Sequence, residues 1–343
     1  MTNHTQRPMD SVTLKAIYTA SRRIKATVCR TPLEPSPALS ELVGAEVRLK
    51  MENLQHTGSF KLRGAANVLA SLDADQRSTG VIAPTAGNHG LGLACAGHVT
   101  GIPVSIYLPH SADPVKVSAM KNYGAQVTFF ENIEEARKAA IAAAQQSGAT
   151  FVSAYNNEQM IAGGGTVGLE IMEDWADAEV ILVNIGGGGL ASGIATAIKA
   201  INPAAEVWAI QSEASPTFAR WKDAGETLPV EITSSVAEGI SGYIEPETMT
   251  WPLIRDRVDR VLLVSEAEIK AAMMIMLNLH RHVVEPSGVP AVAAVLRYAK
   301  DLKGRKTVCV VSGRNISGSR YLRLVNEASR SGNEAEALST EML

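Results

Sequence analysis

Short runs of β-branched and aliphatic residues recur along the chain at wide spacing: Val47–Met51, Val81–Ala83, Val104–Leu108, Val127–Phe130, Val180–Ile185, Val207–Ile210, Arg260–Val264 and Thr307–Ser312. Their length and apolar character suit strands buried on both faces. Between them, Glu134–Gln146, Leu190–Ile201 and Glu266–Leu279 carry apolar residues at helical spacing. Another helix is predicted over Ser11–Val28, where Leu14, Ile17, Ile24 and Val28 keep that spacing and Ser11 stands ready to cap it. Alternating strands and helices predict an α/β protein with mostly parallel sheets, covered on both faces. Two sheets suit this length better than one wide one. No Pro- or Ser-rich linker marks a boundary, so the second domain is expected as an insertion whose chain passes out and back.

Composition narrows the class. The 343 residues are 46% hydrophobic and 20% charged, as in ordinary globular proteins. A net charge of −3 without long runs of one sign argues against nucleic-acid and membrane-surface partners. The opening MTNHTQRPMDS lacks the apolar core of a secretory signal, and no apolar run nears the ~18 residues of a membrane span. A cytoplasmic enzyme is expected. Cys29, Cys95 and Cys309 form no C-x-x-C pair and have no His cluster beside them, so neither a disulfide framework nor a metal site is expected.

Four local patterns carry chemistry. Ile185-Gly186-Gly187-Gly188-Gly189-Leu190 lies between a strand-like VILVN and a helix-like LASGIATAIKAI. Glycines at a helix N-terminus let backbone N–H groups converge on an anion, with phosphate as the natural guest. The same stretch fits a dinucleotide fingerprint through Gly186, Gly188 and Ala191, with Glu206 and Glu213 as poorly placed acidic partners. The second pattern is Thr57-Gly58-Ser59-Phe60-Lys61-Leu62-Arg63-Gly64-Ala65. The third, Thr85-Ala86-Gly87-Asn88-His89-Gly90, presents donors at a helix start and suits a carboxylate. The fourth, Val311-Ser312-Gly313-Arg314-Asn315, ends the last strand, where open α/β sheets face their ligands.

In this order the four patterns resemble the pyridoxal-phosphate (PLP) enzymes of the tryptophan-synthase-β fold, fold type II, in the threonine/serine dehydratase and serine racemase branch. The resemblance spans nearly the whole chain and implies two three-layer αβα domains. These are expected at 1–52 with 158–327 (large, PLP-binding) and at 53–157 (small), with 328–343 as a flexible tail. It implies that Lys61 forms the Schiff base with PLP, with Phe60 packed beside the ring and Asn88 bonded to the ring hydroxyl. Gly186, Gly187, Gly188, Gly189 and Leu190 would hold the phosphate, Ser312 would meet the pyridine nitrogen, and Glu285 would lie near the cofactor. Ser59, Thr85, Ala86, Gly87, Asn88 and His89 would receive the substrate, with Arg314 available for an extra acidic group. The implied partner is a small amino-acid substrate, and the assembly a homodimer or higher homo-oligomer.

PLP makes a substrate Cα–H acidic, and Lys61 is poised to remove that proton. A Ser rather than a carboxylate at the ring nitrogen favours loss of a β-leaving group over transamination. The expected activity is therefore dehydration of a threonine- or serine-like β-hydroxy amino acid to a 2-oxo acid and ammonia. Alternatives are a dehydratase for phenylserine, 3-hydroxyaspartate or a hydroxyectoine breakdown product, an amino-acid racemase, and, from another class, a dinucleotide-binding oxidoreductase. Three departures from the family pattern stand out. Gln211 and Thr217 replace the Glu and Asp of a divalent-metal loop. The usual SGGN reads Ser312-Gly313-Arg314-Asn315. A C-terminal regulatory domain like that of the biosynthetic threonine enzymes is not expected, nor is feedback by isoleucine. Ala86 also stands where the family's racemases carry the Ser that serves the second face of the substrate.

Overall fold

The aliphatic runs form strands, in chain order β1 (Leu33–Pro35), β2 (Glu46–Met51), β3 (Val81–Pro84), β4 (Val104–Pro109), β5 (Gln126–Phe130), β6 (Thr150–Phe151), β7 (Val180–Asn184), β8 (Glu206–Ser212), β9 (Arg260–Val264) and β10 (Lys306–Val311). The computed structural model describes residues 12–331. Its strands make one sheet in the order β1-β2-β10-β7-β8-β9 and a second in the order β5-β4-β3-β6. Every pairing is parallel except β1 with β2. The four-stranded sheet is built from chain lying between β2 and β7, so the polypeptide leaves the larger sheet and later returns to it.

In the six-stranded sheet, side-chain alternation divides the core in two. Cys309, Val311, Val180, Leu182, Trp208 and Ile210 face one apolar layer, whereas Val308, Val310, Ile181, Val183, Val207 and Ala209 face the other. A sheet covered on both faces needs such near-continuous hydrophobic strands. Edge strand β5 is largely exposed, with only Val127 and Phe130 partly covered.

Several boundaries differ from the sequence expectation. β1 and β6 were not anticipated: one is a three-residue strand ending in Pro35, the other only two residues, too short for a periodic signal. The first helix spans Leu14–Ile24 and is capped by Thr13, whose hydroxyl accepts from Ala16 N at 3.2 Å, while Ser11 lies outside the described residues. The final helix, Gly318–Ser331, carries ordered structure into the segment expected as a tail from 328, because Leu324 and Val325 anchor it to the core. Residues 332–343 lie outside the described part. No helix among the described residues is long and apolar enough to cross a membrane.

The helix Lys61–Ser71 is wedged between the sheets against the long helix Glu158–Asp174. Their backbones approach so closely that a Cβ on Gly163 would sit 2.5 Å from Arg63 O, and one on Gly64 would sit 2.9 Å from Met160 O. Beneath this crossing lies a buried cluster of four charges. Arg63 Nε donates to Glu52 Oε2 at 2.8 Å, and Arg63 Nη1 to Glu170 Oε1 at 2.7 Å. Lys50 Nζ reaches Glu170 Oε2 at 2.6 Å and Thr31 O at 2.7 Å. Lys50 and Glu52 are fully buried and Arg63 is 1% exposed. Burial would raise the Glu170 carboxyl, but Arg63 and Lys50 together hold it below its ordinary value. Replacing Arg63 with Met leaves Glu52 buried without its hydrogen-bonded cation. Arg63→Met should therefore cost about 3–5 kcal/mol of unfolding free energy in urea. A loss under about 1 kcal/mol would show that the cluster does not hold the crossing together.

Candidate active site

All four sequence motifs lie at the carboxyl ends of parallel strands, and backbone contacts draw them together. The Lys61 segment follows β2 through a short turn, Glu52–Leu54. Ser59 pairs with Gly313 in an isolated bridge, and Phe60 N donates to Ser312 O at 3.2 Å. The Thr85–Gly90 loop follows β3 and opens the helix Asn88–Thr100. The glycine loop follows β7 and opens the helix Gly189–Ile201.

Lys61 is partly buried and its Nζ donates to Ala154 O at 2.9 Å, 5.1 Å from the Phe60 ring centroid. Burial, with no carboxylate to offset it, lowers the amine to about 8. His89 is buried, and burial together with the nearby Lys61 charge lowers its imidazole to about 3. Its Nε2 lies 3.1 Å from Val152 O, so Nε2 carries the proton, and Nδ1 has no partner among the described residues. A neutral imidazole and a readily deprotonated amine therefore share one wall of the site.

Two sets of backbone donors are open. Gly188 adopts φ +89° at the cap of its helix, a conformation glycine takes without strain. A Cβ on Gly187 would overlap the Tyr155 ring, and one on Gly188 would sit 2.9 Å from Thr250. Thr250 Oγ1 donates to Gly187 O at 2.8 Å, which pins the loop while leaving the N–H groups of Gly186, Gly187 and Gly188 without acceptors among the described residues. At the second helix start, Gly87 N donates to Thr85 Oγ1 at 3.2 Å, but the N–H groups of Ala86, Asn88 and His89 have no such partner. Each set is a cradle for an anion.

Ser312, just past β10, accepts from Asn184 Nδ2 at 3.0 Å and lies 3.2 Å from Ser287 O. Asn88 Nδ2 donates to Glu285 Oε1 at 2.6 Å, while Lys116 Nζ lies 3.7 Å from Glu285 Oε2. Burial raises the Glu285 carboxyl, with Lys116 and Asn88 opposing that rise. Arg314 is exposed. Its backbone N donates to Gly58 O at 2.9 Å, and its guanidinium pairs with no described residue.

Ala154, Tyr155, Asn184 and Thr250 shape the site without a local sequence signature. Tyr155 donates to Glu245, which also meets Arg137 at 3.4 Å from the four-stranded side. The dinucleotide alternative loses its acidic partners, for both Glu206 oxygens are engaged, by Arg305 at 2.7 Å and Trp208 at 2.8 Å. Glu213 pairs with Arg297 at 2.7 Å. In the Gln211–Thr217 loop, Gln211 is buried and its Oε1 accepts from Ala219 N at 3.0 Å. Among the described residues no group of three or more His, Cys, Asp or Glu side chains could hold a metal ion.

These donors fit PLP: a cradle of free N–H groups suits the phosphate, and a readily deprotonated amine suits its aldehyde carbon. Residues 24–313 match the family model described as pyridoxal-phosphate dependent enzyme. An L-threonine ammonia-lyase of Thermotoga maritima is 43% identical over 92% of this chain and 79% of its own length. An L-threo-3-hydroxyaspartate ammonia-lyase of a Pseudomonas species is 34% identical over 90% of this chain and 97% of its own. The solved structure of maize serine racemase superposes with a TM-score of 0.87 at 32% identity, covering 94% of this chain and 99% of that one. The chain belongs to the pyridoxal-phosphate dependent enzyme family, in its fold type II branch.

Proposed function

We propose that the chain is an ammonia-lyase that removes water from a small β-hydroxy amino acid of the threonine or serine type, with Lys61 as cofactor anchor and base. PLP, when bound, makes the substrate Cα–H acidic by drawing its electrons into the ring. The N–H groups of Ala86, Asn88 and His89 hold the substrate carboxylate, and the Gly186–Leu190 loop holds the cofactor phosphate. Phe60 packs beside the ring, and Ser312 offers a neutral hydroxyl to its nitrogen. Lys61 Nζ takes the Cα proton. Lys61 passes that proton to the departing hydroxyl as the Cβ–O bond breaks, so that water leaves. The released enamine takes a solvent proton at Cβ to become an imine, and water adds to that imine to give ammonia and a 2-oxo acid.

The observation that carries lyase over racemase is the presence of a single competent base. Racemisation needs a proton carrier on each face of Cα. Ala86, at the position facing away from Lys61 on this reading, has no hydroxyl, and His89 at about 3 is too weak a base at neutral pH. Cytoplasmic location, supported by three unpaired cysteines, and a homodimer or higher homo-oligomer belong to the same proposal.

A second reading, in which the substrate bears an extra carboxylate, draws on the exposed, unpartnered Arg314 and on the resemblance to the hydroxyaspartate enzyme. Ser59, buried with its hydroxyl unpartnered, would lie beside either substrate.

Incubation with L-threonine, L-serine and L-threo-3-hydroxyaspartate should release 2-oxo acid and ammonia without D-amino acid. Substantial D-serine by chiral chromatography would overturn the one-base reading. Arg314→Gly should lower kcat/KM for the acidic substrate by ~1–3 kcal/mol of transition-state binding, roughly fivefold to 150-fold, and leave threonine unchanged. Equal effects on both substrates would remove Arg314 from substrate binding.

The Lys61 amine near 8 sets a pH dependence. Only the neutral amine attacks an aldehyde, so covalent capture of PLP by the cofactor-free protein should rise about tenfold per pH unit below that value and level off above it. Capture, read as borohydride-fixed label, should vanish in Lys61→Ala. A rate still climbing steeply at pH 10 would mean an ordinary, solvated lysine.

A further inference from the structure

Asn315 carries no assigned role, yet its side chain occupies a constrained position. Its Nδ2 donates both to Thr57 O at 2.7 Å and to Asn88 Oδ1 at 2.8 Å. A backbone carbonyl can only accept, so Thr57 fixes which end of the Asn315 amide points inward. That end is a donor, and it must meet the carbonyl of Asn88. On the other side of Asn88, the Glu285 carboxylate can accept and takes one Nδ2 hydrogen. Turning the Asn88 amide over would set N–H against N–H at Asn315 and oxygen against oxygen at Glu285. The arrangement consumes the Asn88 carbonyl and one of its two N–H bonds, and leaves the second N–H unspent.

Gly313 makes room for this arrangement. A Cβ there would overlap Glu285 Oε1 and lie 3.3 Å from Asn88 Nδ2. The contacts also cross between the two parts of the molecule. Asn88 starts the helix that follows β3 of the four-stranded sheet, whereas Asn315 follows β10 of the six-stranded one. From the four-stranded side, Lys116 approaches the second Glu285 oxygen.

We propose that Asn315 and Glu285 are positioning residues that lock the carboxamide of Asn88 so that a free N–H, and not the carbonyl, faces the ring oxygen of PLP. The proposal rests on the reading that Asn88 faces that oxygen. A donor at this point stabilises negative charge on the ring oxygen, while a carbonyl would repel it. Thr57 O, a backbone acceptor, thus sets the orientation of the Asn88 amide through that of Asn315.

Asn315→Asp tests this because it keeps the shape of residue 315 and replaces a donor with an acceptor, which favours the wrong rotamer of Asn88. Asn315→Ala only removes the constraint and leaves Glu285 still preferring the N–H. In the PLP-loaded protein, Asn315→Asp should weaken cofactor retention about tenfold and move the visible band to shorter wavelength. Asn315→Ala should stay within about threefold, despite a comparable or larger loss of thermal stability. If the two variants weaken retention equally, or if retention simply follows the thermal midpoint, residue 315 acts by packing and the proposal is overturned. Asn88→Ala separates the two layers of the argument. Unchanged retention there would overturn the placement of Asn88 on the ring and this proposal with it. Weakened retention there, with matching Asn315 variants, would overturn this proposal alone.

Discussion

The buried cluster of Lys50, Glu52, Arg63 and Glu170 is the constraint on which the site depends. Two cations and two carboxylates leave water together, and their desolvation is offset only while all four hold their geometry. Lys50 lies next to the end of β2, Glu52 opens the turn after it, Arg63 lies in the first turn of the Lys61 helix, and Glu170 belongs to the helix that returns the chain to the larger sheet. One guanidinium joins three elements at separations of 2.7–2.8 Å. The crossing glycines permit the approach, and the charges select its register. A helix free to slide there would move the reactive amine relative to every other group in the site.

The same helix separates its charges sharply. Arg63 receives two carboxylates, while Lys61, two residues earlier, receives a single carbonyl and no anion. Burial without a counter-charge makes Lys61 a reactive amine, whereas burial with compensation makes Arg63 a permanent cation. The backbone follows the same division. Most buried donors in a folded chain are paired, yet the two helix starts at Gly186–Gly189 and Ala86–His89 retain open N–H groups. Unmet hydrogen-bonding capacity is concentrated where a ligand would supply it.

Much of this was legible in the sequence because most strands are short, near-continuous aliphatic runs and the glycine loop is punctuated by its own composition. The eight runs from Val47–Met51 to Thr307–Ser312 all became strands, and the motif loops fell at their carboxyl ends. What escaped was short or non-local. β1 and β6 hold too few residues to show a period. Thr13 rather than Ser11 caps the first helix, a shift of two positions that periodicity cannot resolve. Tyr155, Asn184 and Asn315 act through contacts spanning 90 to 258 residues of sequence, which no local pattern encodes. Arg63 was visible only as the residue two after Lys61, and its partners appear only in three dimensions.

The distribution of charge across the site bears on which reaction the proposed chemistry favours. The buried carboxylate of Glu285 lies on the Asn88 side, where Asn88 and Lys116 engage it. At the end of β10, Ser312 is held by the amide of Asn184 and the carbonyl of Ser287, both uncharged. On the proposed reading, the ring therefore meets a donor at its oxygen and a hydroxyl at its nitrogen. A hydroxyl at Ser312 would not hold a proton on that nitrogen as a carboxylate would, so a cofactor bound there would supply only modest electron withdrawal. Charge arriving at Cα is then better relieved by expelling a leaving group from Cβ than by waiting for a proton elsewhere. With Ala86 unable to deliver a proton to the opposite face, elimination remains the open route.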